Sequence, residues 1–503
     1  EFTLPTGSHT LALRITTQLG LQSTADIQVH VQSAITVIGG SIQGAVSQAE
    51  DMFYVGSSDR SISRIDSTGR VIRKFTIPGK IFSASPISSL NKMYTGASDL
   101  KAYCFDLQLN TAWDSPLGGE TFSTPAITAD GNTIYVAMAN GVIKAIDAHT
   151  GTTRWNYYTG RQITASPLLI QQLDGSYVIY IGTKGSSTIA PAFLALKDLG
   201  GDATLLWEKS YAADIISSAA ILANEQNSML YFTTVDGILH RIRWDGYSED
   251  SWKVSLGINY GSCSPVIDEN GIVYIGTSSG KLMAYIPDFI TTTQASKLFL
   301  TGSSIIGTPA IGKTGNLYFG ARNGMFYALD ITQDTFVQKW LYNAKVPFDA
   351  PTLVTESGVV VSGAMNGNLY VFTDPDFHTA DNNGYNAMWP TFLGNNRRNR
   401  VVPLNVVSIE DSIAVPVTFS LHQNYPNPFN PGTTIRYALP APTRVSLKVF
   451  DVLGKEVAVL VNQTQHAGIH TVAFDATPLP SGVYFYRIET DHNSSVKKML
   501  LLK

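Results

Sequence analysis

The chain of 503 residues contains only two cysteines, Cys104 and Cys263, so neither a disulfide framework nor a four-cysteine zinc site can be assembled from it alone. Charged residues are also scarce, at 15% against the roughly 25% of an average globular protein. The formal net charge is -4, and the only local cluster of basic residues is Arg397, Arg398 and Arg400. A nucleic-acid groove needs clustered Lys and Arg to displace counterions from phosphates, and that class is excluded. No apolar run approaches the 18 residues of a membrane-spanning helix, and the longest, such as Gly358 to Met365, are strand-sized. What the sequence does have is Gly, Thr, Ser, Val, Ile and Tyr, the composition of an all-β protein. At this length two to four domains are expected.

A repeat organises the middle. Each unit opens with Ser or Thr at or near a Pro, continues into an apolar-Tyr-apolar-Gly strand and a turn, and ends with an apolar strand, a Gly turn and a Trp-bearing strand. Its clearest copy is STPAITADGNTIYVAMANGVIKAIDAHTGTTRWNYY, from Ser123 to Tyr158. The second-strand positions are Tyr54, Tyr94, Tyr135, Tyr180, Tyr231, Tyr274, Tyr318 and Val360, at intervals of 40 to 51 residues. Pro86, Pro125, Pro167, Ala219, Pro265, Pro309 and Pro351 keep step with them. A period of this length with four short strands per unit predicts an eight-bladed β-propeller of four-stranded blades. The eighth unit lacks a clear fourth strand, and residues 34–38 stand where one is needed, so they are expected to close the last blade and cover its open edge.

The stretch IYVAMANGVIKAIDAHTGTTRW is similar to the PQQ-like repeats of quinoprotein dehydrogenases and of outer-membrane assembly lipoproteins, a resemblance that extends over about residues 35–400. WPTFLGNNRRNR, from Trp389 to Arg400, resembles the Trp-Pro-x-Phe element that accompanies such propellers, without its closing Thr-Gly. For an enzyme, the resemblance implies a quinone, calcium at the channel mouth and often an adjacent cysteine pair. Cys104 and Cys263 are not adjacent, and they fall in the second and sixth units, on opposite sides of an eight-unit ring and beyond disulfide reach.

Other chemistry fares no better. GTSSG at Gly276 to Gly280 matches a nucleophile elbow, but that motif needs a following helix, and here KLMAYI reads as a strand. The nine histidines show no zinc-binding spacing, and no phosphate loop is present. No catalytic or cofactor-binding residue is therefore assigned. Asp374, Asp376, Asp381 and Asn383 supply the oxygen ligands calcium prefers, at a spacing unlike an EF-hand, and stand as a weak metal candidate. Phe82, Phe122, Tyr260 and Phe348 precede inner strands and are expected around one mouth, where aromatic faces stack on a sugar or clasp a peptide.

Residues 1–33 alternate as two strands around Leu19-Gly20. They resemble the end of a PKD or immunoglobulin-like module, and the expectation is a remnant whose earlier strands, like an export signal, lie upstream. The propeller is expected over 34–400, a linker over 401–418, and a separate domain over 419–503.

In that last domain Pro426, Pro428 and Pro431 enforce a rigid loop before further strands. NYPNPFNP (Asn424, Tyr425, Pro426, Asn427, Pro428, Phe429, Asn430, Pro431), VFDVLGKEV with Gly454, SGVYFYRI with Gly482 and Tyr484, and KKMLLLK with Lys497 and Lys498 resemble, in order, the type A sorting domain of the type IX secretion system. Gly432 stands where that family often has Thr. The resemblance implies an immunoglobulin-like β-sandwich, export through the periplasm to the surface of a Gram-negative bacterium or its surroundings, and partners in the secretion machinery and its sorting peptidase, with cleavage near residue 419. Exposed strand edges and the last residues are the expected recognition features. The leading reading is a secreted, non-catalytic propeller that binds an extracellular glycan or protein. The alternatives are an accessory region of a secreted hydrolase with its catalytic domain upstream, and a quinone-dependent dehydrogenase.

Overall fold

In the computed structural model the described residues are 7–16, 22–31, 34–223, 228–246, 253–257, 263–286, 295–373, 391–395, 401–403, 419–421, 424, 427, 429–439, 442–465, 468–491 and 493–502. Two compact units divide the chain, Glu1–Asn405 and Val406–Lys503.

The first unit begins with an antiparallel hairpin of Gly7–Thr16 and Gln22–Val31. Eight sheets then follow one another among the described residues. The third shows the plan: Ala126–Ile127, Thr133–Ala137, Val142–Asp147 and Thr153–Tyr158, each antiparallel to the next. Thr133–Ala137 is buried throughout because neighbouring sheets cover both its faces, which is why its sequence runs apolar rather than alternating. Thr153–Tyr158 lies at the rim and is mostly exposed.

Adjacent sheets share cores. Tyr54 of the first sheet packs with Met93 and Phe105 of the second, Tyr94 with Ile134 of the third, and Tyr135 with Ile179 of the fourth. Phe193 stacks on Phe232 across the fourth and fifth sheets, centroids 4.3 Å apart. Tyr274 packs with Phe319 across the sixth and seventh sheets, and Tyr318 with Phe372 across the seventh and eighth. Val361 and Val371 of the eighth meet Phe53 and Val55 of the first, which closes the ring. Burying each such aromatic or branched side chain contributes about 1.5–3 kcal/mol.

Ala34–Val37 pairs antiparallel with Asn368–Thr373 as the outermost strand of the eighth sheet. Two sheets depart from four strands. The second has three, with an isolated bridge between Ile87 and Met93 in place of the innermost, and the fourth has five. Its additional strand is Val401–Pro403, which lies parallel to Leu169–Gln171, so the segment expected as a linker begins by pairing with the fourth sheet.

In the second unit, Ser420–Leu421, Gly432–Leu439 and Gly468–Asp475 form one sheet. Glu456–Gln465, Thr443–Phe450, Gly482–Glu489 and Ser494–Leu501 form the other. Alternate residues such as Val445, Leu447 and Val449 point into a core shared with Ile435, Tyr437, Tyr486 and Met499.

Candidate functional site

One end of the ring is built by a contact that repeats. The turn after the second strand of a sheet donates a backbone hydrogen bond to the segment leading into that sheet: Ser98 N to Lys80 O at 3.0 Å, Ala139 N to Glu120 O at 2.8 Å, Met365 N to Pro347 O at 3.0 Å. The following residue anchors on a glycine of the preceding sheet. Ile81 covers Gly56, Thr121 covers Gly96, Ile215 covers Gly182 and Ile305 covers Gly276, each so closely that a Cβ on the glycine would lie 2.1 to 2.4 Å from it. The next residue is released from the anchor, and Phe82 and Phe122 occupy that place. Their ring centroids are 5.8 Å apart, and Phe122 is 40% exposed.

Phe348 does not join them. It lies three residues before Pro351, as Phe122 lies before Pro125, but the anchor in this lead-in falls one residue later. Phe348 therefore takes the slot of Ile81 and Thr121, with its Cβ 2.2 Å from where a Cβ on Gly320 would sit. It is fully buried against Phe326 and Tyr370, at 5.4 and 5.2 Å between centroids, out of reach of a ligand. Tyr260 and the calcium candidates Asp374, Asp376, Asp381 and Asn383 lie outside the described residues. Among the described residues, no group of three or more His, Cys, Asp or Glu is placed to hold a metal ion.

A belt of hydroxyls around the inner strands had only an indirect signal, the Ser or Thr before each Pro. Ala84 N donates to Thr124 Oγ1 at 3.1 Å, Thr124 N to Ser166 Oγ at 2.9 Å, Ser166 N to Ser218 Oγ at 3.0 Å, Ser218 N to Ser264 Oγ at 3.1 Å, and Ser264 N to Thr308 Oγ1 at 3.2 Å. Each bond crosses from one sheet to the next.

Three titratable groups are displaced by their surroundings. Burial pushes the thiols of Cys104 and Cys263 up to about 12, and both cysteines are free. Burial lowers His240 to about 4, where it stacks with Phe232 and meets Thr234 Oγ1 at 3.0 Å. A cavity of about 580 Å³ opens between the third and fourth sheets. Its charges are already engaged: Lys197 pairs with Asp174 at 3.1 Å, Arg154 pairs with Asp147 at 2.7 Å, and Asp198 accepts from Tyr135 and Trp155.

The sorting-motif residues form a structural lock in the second unit. Asn424 is buried, its N–H donating to Tyr486 Oη at 2.8 Å and its side chain to Thr433 Oγ1 at 2.9 Å. Asn427 Oδ1 accepts from Leu500 N at 2.8 Å, and Phe429 bonds through its backbone to Leu500 and Leu502 at 2.9 and 3.0 Å. Ala476 N donates to Pro431 O at 3.0 Å, while Asn430 is exposed. Gly454 takes φ +79° in the turn after Asp451, Tyr484 Oη donates to Pro480 O at 2.8 Å, and Gly482 opens the strand opposite Leu501. Lys497 and Lys498 lie opposite Tyr486 and Phe485. Tyr425, Pro426 and Pro428 lie outside the described residues.

A closed ring of antiparallel sheets followed in the chain by a small two-sheet β-sandwich defines a β-propeller protein with a separate C-terminal β-domain. Residues 22–244 match the family described as outer membrane protein assembly factor BamB, and residues 423–502 match the secretion system C-terminal sorting domain. The chain thus carries a BamB-like, PQQ-like repeat propeller followed by a type IX sorting domain, which directs export to the cell surface or outer membrane. No curated protein matches the sequence. Among solved structures, BamB from Moraxella catarrhalis is similar at 15% identity and a TM-score of 0.54, covering 68% of this chain and 100% of that one. Sqt1 from Saccharomyces cerevisiae is similar at 12% identity and 0.55, covering 68% and 98%. The C-terminal WD40 domain of Sif2 is similar at 12% and 0.53, covering 68% and 98%. These likenesses establish the propeller fold. Among the described residues, no helix is long and apolar enough to cross a membrane.

Proposed function

We propose that this chain is a non-catalytic propeller displayed on or released from the cell surface, where it binds an extracellular glycan or protein at the ring end that carries Phe82 and Phe122. The observation that carries the reading is the aromatic pair itself: two rings 5.8 Å apart, one of them 40% exposed, on lead-ins that the repeated backbone bonds hold rigid. Such a pair offers faces for stacking at little entropic cost. The displaced titratable groups have causes within the fold, in burial, hydrogen bonds or ion pairs, which is consistent with a binding role. A peptidase acting near residue 419 after translocation is part of the same reading, and no cofactor is invoked.

Glycan-array and titration binding with the exported full chain test it. Replacing Phe122 by Ala is expected to weaken a detected ligand by about tenfold or more, the range of a lost aromatic anchor. A ligand indifferent to both Phe82→Ala and Phe122→Ala places the binding site elsewhere, and dye-linked oxidation on adding pyrroloquinoline quinone overturns the non-catalytic reading.

A further inference from the structure

A folded sheet can be recognised in two ways, by adding a strand to an open edge or by contacting side chains on its surface. In the sorting domain the four-stranded sheet ends in Ser494–Leu501 on one side and Glu456–Gln465 on the other. The first margin is occupied from within. Asn427 Nδ2 donates to Lys498 O at 3.4 Å, Leu500 N donates to Asn427 Oδ1, Phe429 N donates to Leu500 O, and Leu502 N donates to Phe429 O. Asn427 and Phe429 thus satisfy backbone groups over the last residues of this edge, Lys498 to Leu502. The second margin carries two register shifts, between Leu447 and Lys448 and between Val449 and Phe450. Bulges of this kind twist an edge away from flat pairing.

With the end of one edge covered and the other bulged, side chains are the alternative. Of the exposed large aliphatic residues described in this domain, Val459, Val496 and Leu502 are about half exposed, while one turn presents a more exposed pair. Between Phe450 and Glu456 the chain turns through Asp451–Lys455. Asp451 Oδ1 accepts from Leu453 N and Lys455 N, both at 2.9 Å, Asp451 N donates to Lys455 O at 3.0 Å, and Gly454 N donates to Asp451 O at 3.1 Å. Gly454 takes the positive φ that closes the turn. Turns this tight ordinarily carry polar or small residues. This one carries Val452, 65% exposed, and Leu453, 89% exposed. The turn is rigidly built, and its two aliphatic side chains point away from the domain's own core.

We infer that the secretion machinery reads the folded sorting domain through this Val452–Leu453 tip, which inserts into an apolar pocket of its receptor, and not by strand addition at either edge. The inference rests on the reading that this domain is what the machinery captures. It deepens that reading by naming the contact.

The full chain, behind an export signal in a host that carries the system, provides the test. V452S/L453S is expected to leave the melting temperature of the purified chain unchanged, because neither side chain is packed. Surface protein is expected to fall about tenfold or more, with the chain retained in the periplasm. V452I/L453M, which keeps the tip apolar, is expected to be exported like the parent. Equal surface yields from V452S/L453S and the parent overturn the tip assignment. A chain lacking Gly482–Lys503 distinguishes the two levels: if that chain still reaches the surface, the export route itself is wrong, and if it is retained while V452S/L453S is exported, only the tip contact fails.

Discussion

Ser166 Oγ accepts the backbone N–H of Thr124 at 2.9 Å across the boundary between the third and fourth sheets, and both groups are buried. The bond is one member of a belt that passes from sheet to sheet, so each inner strand fixes the height of the next. Replacing Ser166 by Ala leaves a buried N–H without its acceptor, at a cost of about 1–3 kcal/mol. Replacing it by Thr keeps the hydroxyl, as Thr124 and Thr308 do at the same place in the third and seventh sheets. Urea denaturation is expected to show a lower midpoint for S166A and a midpoint near the parent's for S166T, and equal midpoints for S166A and the parent would remove the belt from the account.

The anchoring glycines give a second, steric prediction. A Cβ on Gly320 would lie 2.2 Å from Phe348 Cβ, and the phenyl ring behind it is held by Phe326 and Tyr370. G320A therefore overpacks the seventh and eighth sheets and costs about 1–3 kcal/mol. At Gly482 of the sorting domain a Cβ meets nothing within 4 Å, so G482A is expected to stay within about 0.5 kcal/mol of the parent. Thermal unfolding of the two variants side by side checks the contrast.

Gly320 accounts for one feature that the sequence hid, beside a period that it displayed. The tyrosine spacing was legible because Tyr54, Tyr94, Tyr135, Tyr180, Tyr231, Tyr274 and Tyr318 each fill the same fully buried slot between sheets, which forces a period on the chain. The place of Phe348 is hidden because it precedes Pro351 by three residues just as Phe122 precedes Pro125, whereas the anchor is set by contact with Gly320 and falls one residue nearer the proline. Likewise Ser166 stood out beside Pro167, but its bonding partner Thr124 is 42 residues away. NYPNPFNP was legible as a string, while the role of Asn427 depends on Leu500, 73 residues on. Contacts between distant segments leave no period, and only the structure joins them.

His240 supplies a prediction in pH. Its imidazole sits among Phe232, Tyr211 and Thr234, and burial holds its pKa at about 4, below the ordinary value of 6.5. The nearby Asp236 pulls upward, while Lys253 and Lys209 push further down. A lowered folded pKa means that the unfolded chain binds the proton first, so stability rises with pH wherever the two states differ in protonation. The contribution of neutral His240 is complete above about pH 6.5 and is lost progressively as pH falls toward about 4, where the folded form also takes up the proton. In H240F, which keeps a ring against Phe232 and cannot titrate, the fall in melting temperature between pH 7 and pH 4 is expected to be shallower than in the parent. Parallel curves for the two proteins would show that the destabilisation in this window belongs to other groups; the carboxylates of Asp147 and Asp174, held down at about 2, lose their contribution mainly below pH 4.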